Sequence, residues 1–221
     1  MEWVLPVQKL LVDNITISYP WTKESIKQSK PIATLSYRDE KNIGMPILSL
    51  LLPPLPIVSY DIHSGRLELD TSGYSLVSLK LQKFQENLLE AILYNQTSWF
   101  GTAYPSEDIH AGFQPFFEGN RCILHCPMFT QMEKQGVVGT VGTSIPLFHK
   151  GEWKCATQDQ FRVGKKIRVA IKIHGISFLV RGGGGGGTRA ESLHDSMNVS
   201  KTLWTSRSRI QHRILGIIVQ E

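Results

Sequence analysis

Residues 167–173, Ile-Arg-Val-Ala-Ile-Lys-Ile, alternate between large apolar and basic or small side chains. A period of two fits only an extended strand with one buried and one exposed face. Ile167, Val169, Ile171 and Ile173 belong to the core face, and Arg168 and Lys172 to the outside. After this strand come the six glycines Gly182 to Gly187 and a polar stretch reaching Ser208, so 181–208 is predicted to be a flexible, glycine-rich loop insertion. The chain returns over 209–219. There Ile210, Ile214 and Ile218 cannot all share a face with Arg213, which predicts that Arg209, Gln211 and Arg213 point to solvent.

The remainder also reads as mainly β. Short runs rich in β-branched and aromatic residues occupy 15–19, 32–37, 47–52, 57–62 and 67–69, with a hairpin turn at His63-Ser64-Gly65-Arg66. Pro53, Pro54 and Pro56 should keep their segment out of a central ladder. The period changes over 75–94, where Leu76, Leu79, Lys83, Phe84, Leu88, Ala91 and Ile92 recur at helical spacing. A shorter helix should start near Ser106, after Pro105, and be limited by Pro115. A helical insertion of about 75–117 therefore interrupts the strands. Strands resume over 121–126, a glycine-rich loop carries Gly136, Gly139 and Gly142, and a further strand covers 152–156, before a turn at Arg162-Val163-Gly164-Lys165.

Charge is unevenly distributed. Eleven Lys/Arg fall within 161–213 (Arg162, Lys165, Lys166, Arg168, Lys172, Arg181, Arg189, Lys201, Arg207, Arg209 and Arg213), against only Glu191 and Asp195. This is the footprint of a polyanion binder, or else a solvated face. If the strands before and after the glycine insertion pair, Lys154, Arg168, Lys172, Arg209 and Arg213 form a groove that neutralises phosphates, and Trp153, Phe161, Phe178 and Trp204 are candidates to stack bases. The opposing possibility places these aromatics in the core and leaves the charges to solubilise the sheet.

Cys122, Cys126 and Cys155 are an odd set, which fits free thiols in a reducing compartment better than a disulfide framework. In a strand Cys122 and Cys126 face one way and His125 the other, against convergence on zinc. No signal peptide is read in MEWVLPVQKLLVDN, and the sequons at Asn14, Asn95 and Asn198 are taken as coincidental. The apolar run of 45–60 is too short to span a bilayer and is broken by prolines, so no membrane partner is expected. The six glycines lead into Thr188-Arg189 and not Gly-Lys-Ser/Thr, no serine elbow or His-Glu-x-x-His is present, and the acids are unpaired. A nuclease using Glu152 and Asp159 ranks below the non-enzymatic readings.

The order of several segments resembles the phage gene-2.5-type single-stranded-DNA-binding proteins of nucleo-cytoplasmic large DNA viruses. The segments are Met45-Pro46-Ile47 to Pro53-Pro54, Gly65-Arg66-Leu67-Glu68-Leu69, the long helix ending in Trp99-Phe100-Gly101, and the cysteine-bearing strand. Glu152-Trp153-Lys154-Cys155, Gly164-Lys165-Lys166-Ile167-Arg168-Val169, His174-Gly175-Ile176-Ser177-Phe178 and a last apolar strand complete the order. The resemblance covers most of 30–219 and implies a single OB-fold-like β-barrel with inserted α-helices, with Lys154, Lys165, Lys166, Arg168, Lys172 and Phe178 lining or bordering a groove. It implies a sequence-tolerant single-stranded-DNA-binding protein in viral replication, recombination or repair, with no cofactor. Its expected setting is intracellular, in host cytoplasm or nucleus, or the virion. Replication or virion proteins are the further partners and a homodimer the candidate assembly. Relatives of this kind usually end in an acidic tail, whereas this chain ends Ile217-Ile218-Val219-Gln220-Glu221, which favours the alternative of a virion-associated structural or interaction protein.

Overall fold

The computed structural model describes residues 4–21, 30–39, 44–127, 129–134, 137–142, 145–180 and 204–219. The chain begins with short strands, β1 (Leu5–Pro6), β2 (Ile15–Ile17), β3 (Ile32–Ala33), β4 (Leu35–Arg38), β5 (Gly44–Met45) and β6 (Leu48–Leu51). Pro31, Pro46 and Pro53 punctuate them, since proline fixes φ and cannot donate to a ladder. Next comes a hairpin of β7 (Leu55–Asp61) and β8 (Arg66–Asp70). Asp61 shapes its turn by accepting from the His63 N–H at 2.9 Å and the Ser64 hydroxyl at 2.6 Å. β7 starts two residues earlier than the prolines suggested, with Pro56 lying across from Lys166. Pro56 is tolerated because it is second in the strand and the neighbouring bonds fall to Ile57, which donates to Lys165 and accepts from Gly164.

Helix α1 (Ser75–Phe100) runs past the 75–94 spacing to the Trp99-Phe100-Gly101 end that the resemblance implied, and stops at Gly101, whose φ of 65° few side chains adopt. Its buried stripe is Val77, Leu81, Phe84, Leu88, Ile92 and Gln96, whereas Leu76 and Leu79 are exposed. Helix α2 (Ser106–Gly112) leads into β9 (Phe113–Gln114), β10 (Phe117–Glu118) and β11 (Arg121–His125). The predicted glycine-rich loop proves to hold a separate hairpin, β12 (Phe129–Lys134) with β13 (Val137–Gly142), in which Met132 faces Gly139 and Phe129 faces Gly142. Val137, Val138, Thr140 and Val141 are β-branched, and that preference outweighs the glycines. β14 (Pro146–His149), β15 (Glu152–Cys155), β16 (Lys166–Val180) and β17 (Trp204–Val219) complete the chain. β17 starts within the predicted loop: Trp204 already pairs with Val180.

The main sheet has 12 strands, in the order β10-β11-β8-β7-β16-β17-β14-β15, with β3 and β6 added along β16, β9 along β17 and β1 beside β6. β2, β4 and β5 form a small sheet of their own. The long β16–β17 ribbon is the spine. Although β8, β7 and β16 lie between β11 and β17 in the order, the His125 N–H donates to His212 Nε2 at 2.8 Å. The sheet therefore curls until those edges meet at a side chain. Among the described residues no ladder joins them, and the fold is mainly β with two α-helices and no closed barrel. Ile167, Val169, Ile171 and Ile173 are buried as the alternation predicts, in one cluster with the α1 stripe.

Three irregularities interrupt the ribbon, and two of them insert a single residue that re-aims it. On β17 Leu215 is extra, since Ile171 faces Ile214 while Ala170 faces Gly216; on β16 His174 is extra, since Ile173 faces His212 while Gly175 faces Gln211. An extra residue reverses the face of every side chain beyond it.

Candidate functional site

Residues in register across neighbouring strands share a face, so the outer face of the ribbon can be read row by row. At one end Trp153, Phe148, Ile218 and Arg168 are successive partners across β15, β14, β17 and β16. Trp153 is 65% exposed, its ring centroid lies 5.2 Å from that of Phe148, and its edge covers the backbone of Gly216. In the middle Lys172 faces Arg213. At the far end Trp21, Ile32, Ser177, Arg209 and Gln114 form another row, with Trp21 51% exposed. The nine residue steps from Arg168 to Ser177 make this face about 30 Å long.

β16 and β17 carry Lys166, Arg168, Lys172, Arg207, Arg209 and Arg213 and no Asp or Glu. One of the arginines is held in place by hydrogen bonds, and another is partly buried without them. Arg168 is half-buried, with Nε shielded from solvent and unbonded. With its amide oxygen turned inward, Gln211 accepts from Ser177 Oγ at 2.7 Å and from Arg209 Nε at 2.9 Å and Nη2 at 3.3 Å. A guanidinium already fixed loses less conformational freedom on meeting an anion.

The predicted site residues divide accordingly. Trp153, Arg168, Lys172, Arg209 and Arg213 share the outer face, and Lys166 lies on the same side of β16 as Arg168 and is exposed. Lys165 precedes the strand, with its carbonyl bound to Ile57. Lys154 is turned to the opposite face: it pairs with Leu147, which is buried against the core, and its ammonium meets Glu152 at 3.6 Å. The proposed groove therefore excludes it. Phe178 is 0% exposed, its ring within 6 Å of those of Trp99 (5.9 Å), Phe100 (4.9 Å) and Trp204 (5.8 Å), and it cannot stack a base. The cause is the extra residue His174, without which Phe178 would face the same way as Arg168 and Lys172. Trp204 is buried with it, and Phe161 is buried against Tyr60 at 4.4 Å, so neither can stack a base. Arg181 lies outside the described residues.

Two depressions adjoin the far end of the ribbon. The larger, about 350 Å³, opens at the seam between β11 and β17 over Phe116, Ile123, Ile210 and His212. The smaller, about 190 Å³, is flanked by Lys30, Arg207 and Arg209. Gln114 and Arg209 line both. Arg207 stands two residues from Arg209 in the sequence and so was within reach of the alternation. Lys30 and Trp21 reach the site through the long-range pairing of β3 with β16, for which no local signal exists.

Burial pushes the pKa of His212 down to about 4, and the charges of His125, Arg209 and His174 act in the same direction. Burial raises both core thiols, Cys126 to about 12 and Cys122 further. Neither is set up as a nucleophile. Cys122 and Cys126 are buried and His125 exposed, as alternation requires, and no three metal-ligating side chains group together among the described residues. No family model, curated protein or solved structure matches the chain.

Proposed function

We propose that the chain binds single-stranded DNA with little sequence preference along the outer face of the β16–β17 ribbon, and that its curled sheet is an OB-fold-like barrel left open at the β11–β17 seam. The observation that carries this is a continuous face of about 30 Å with Arg168, Lys172, Arg213 and Arg209 along it, no carboxylate on either strand and Trp153 exposed at one end. Cations following the phosphates supply sequence-independent affinity, and an exposed indole stacks on any base a single strand presents. A duplex hides those base faces. The resemblance to gene-2.5-type proteins supports a place in viral replication, recombination or repair.

The test is fluorescence anisotropy of a labelled oligo-dT against a duplex of equal length, over a range of salt. With about four phosphates neutralised, log affinity falls against log salt with a slope near −3, at roughly 0.7 per phosphate. Reversing charge at Arg168 and Lys172 together should abolish binding. A slope near zero, or a duplex bound as well as the single strand, overturns the proposal. One observation favours a structural or virion-associated interaction protein: β15 ends the main sheet with all four residues exposed, an edge another strand can extend. Under that reading the charge-reversed protein assembles like the wild type and neither form binds DNA.

A further inference from the structure

We propose that the two depressions beside Arg209 together form a subsite for one nucleotide, the smaller taking its phosphate and the larger its base. This rests on the single-stranded-DNA reading and gives that surface an anchor point. The smaller cleft brings Lys30, Arg207 and Arg209 together with Gln114 as a neutral donor, and no carboxylate lines it among the described residues. Arg209 is already oriented by Gln211, which Ser177 holds in turn. Three cations and an amide converging without a counter-charge suit a phosphate group.

The larger depression begins on the other side of Gln114 and Arg209, and again no carboxylate lines it among the described residues. At about 350 Å³ it lies in the size range of small-ligand sites. Phe116, Ile123 and Ile210 supply apolar surface; Gln114 and Ser64 supply polar groups at its margin. That combination suits a flat heteroaromatic ring with polar edges.

His212 forms part of the wall and is held neutral by burial. The backbone N–H of His125 can only donate, so Nε2 accepts and the one proton of the neutral ring sits on Nδ1. Nδ1 is buried and turned to the Ile210 carbonyl, so the ring packs the wall and its proton is not offered to the depression. Because Arg209 and Gln114 border both spaces, base and phosphate can belong to the same nucleotide.

The experiment is a titration of the ¹⁵N-labelled full chain with 5′-dTMP, thymidine and inorganic phosphate, followed by amide shifts, with oligo-dT binding measured in parallel. 5′-dTMP should move Gln114, Ser177, Arg209 and His212 and bind about tenfold or more tighter than either fragment, since each tenfold corresponds to one further good contact. Arg209→Gln should weaken 5′-dTMP about tenfold, and Lys30→Gln should weaken it in the same direction. Phosphate binding as tightly as 5′-dTMP reduces the site to an anion hole and overturns the proposal. Shifts confined to Trp153 and Arg168, or none, overturn it as well. Oligo-dT binding without a 5′-dTMP response removes the subsite and leaves the ribbon reading standing. A 5′-dTMP response at these residues without oligo-dT binding upholds the subsite and removes the ribbon reading.

Discussion

Trp153 and Phe178 look equally suited to stacking in the sequence, and their surroundings separate them completely. Phe178 sits among Trp99, Phe100 and Trp204, so Phe178→Ala leaves a cavity and should cost about 3–5 kcal/mol in urea unfolding. Trp153→Ala, at an exposed edge, should leave stability within about 1 kcal/mol while weakening oligo-dT by about 1–3 kcal/mol. Equal unfolding costs for the two variants would contradict these placements. His212 offers a test by pH. Its folded pKa, about 4, lies below the ordinary histidine value, so between pH 6.5 and 4 the unfolded chain binds the extra proton. Stability from this group is complete above pH 6.5 and is lost as pH falls toward 4, by roughly 3 kcal/mol in all. The wild-type urea midpoint should therefore drop between pH 7 and 5 by more than that of His212→Gln. Parallel curves for the two proteins would show that the ring is not held neutral by the fold.

At the scale of elements, regular alternation and helical spacing were legible. The core face of β16 and the existence of α1 follow from side-chain period, α2 from the start signal at Pro105-Ser106, and the two apolar stretches that flank the glycines made a β16–β17 pair an open possibility. The extra residues His174 and Leu215 were not legible, because a bulge leaves composition unchanged and shows itself only when a partner strand sets the register. Gly175 makes the first of them possible. Its φ is 145°, and a Cβ there would come 2.0 Å from the Ala33 carbonyl oxygen, in the backbone of the adjoining strand. Gly175→Ala should destabilise by about 2–5 kcal/mol, combining backbone strain with overpacking. An unfolding midpoint unchanged from wild type would mean that β3 does not approach β16 so closely. The hairpin of β12 and β13 was missed for the opposite reason: its glycines mark turns in a local reading, but a partner strand supplies the hydrogen bonds that keep them extended.

Over the whole molecule, curling of the sheet decides which residues form a site. Phe116 from the segment before β10, Ile123 from β11 and His212 from β17 line one depression because two edges far apart in strand order meet. Lys30 joins Arg207 and Arg209 because β3 attaches to the outer end of β16. The mainly β class, the inserted helices, the basic ribbon and the outward aim of Arg168, Lys172, Arg209 and Arg213 were readable from the order of residues. Each of these depends on side-chain chemistry repeating at a period that neighbouring residues reveal. The burial of Phe178, the turn of Lys154 to the other face and the open seam of the sheet arose from folding in three dimensions. Those outcomes depend on register and on contacts between residues far apart in the chain, where one inserted residue reverses a face without altering the local pattern.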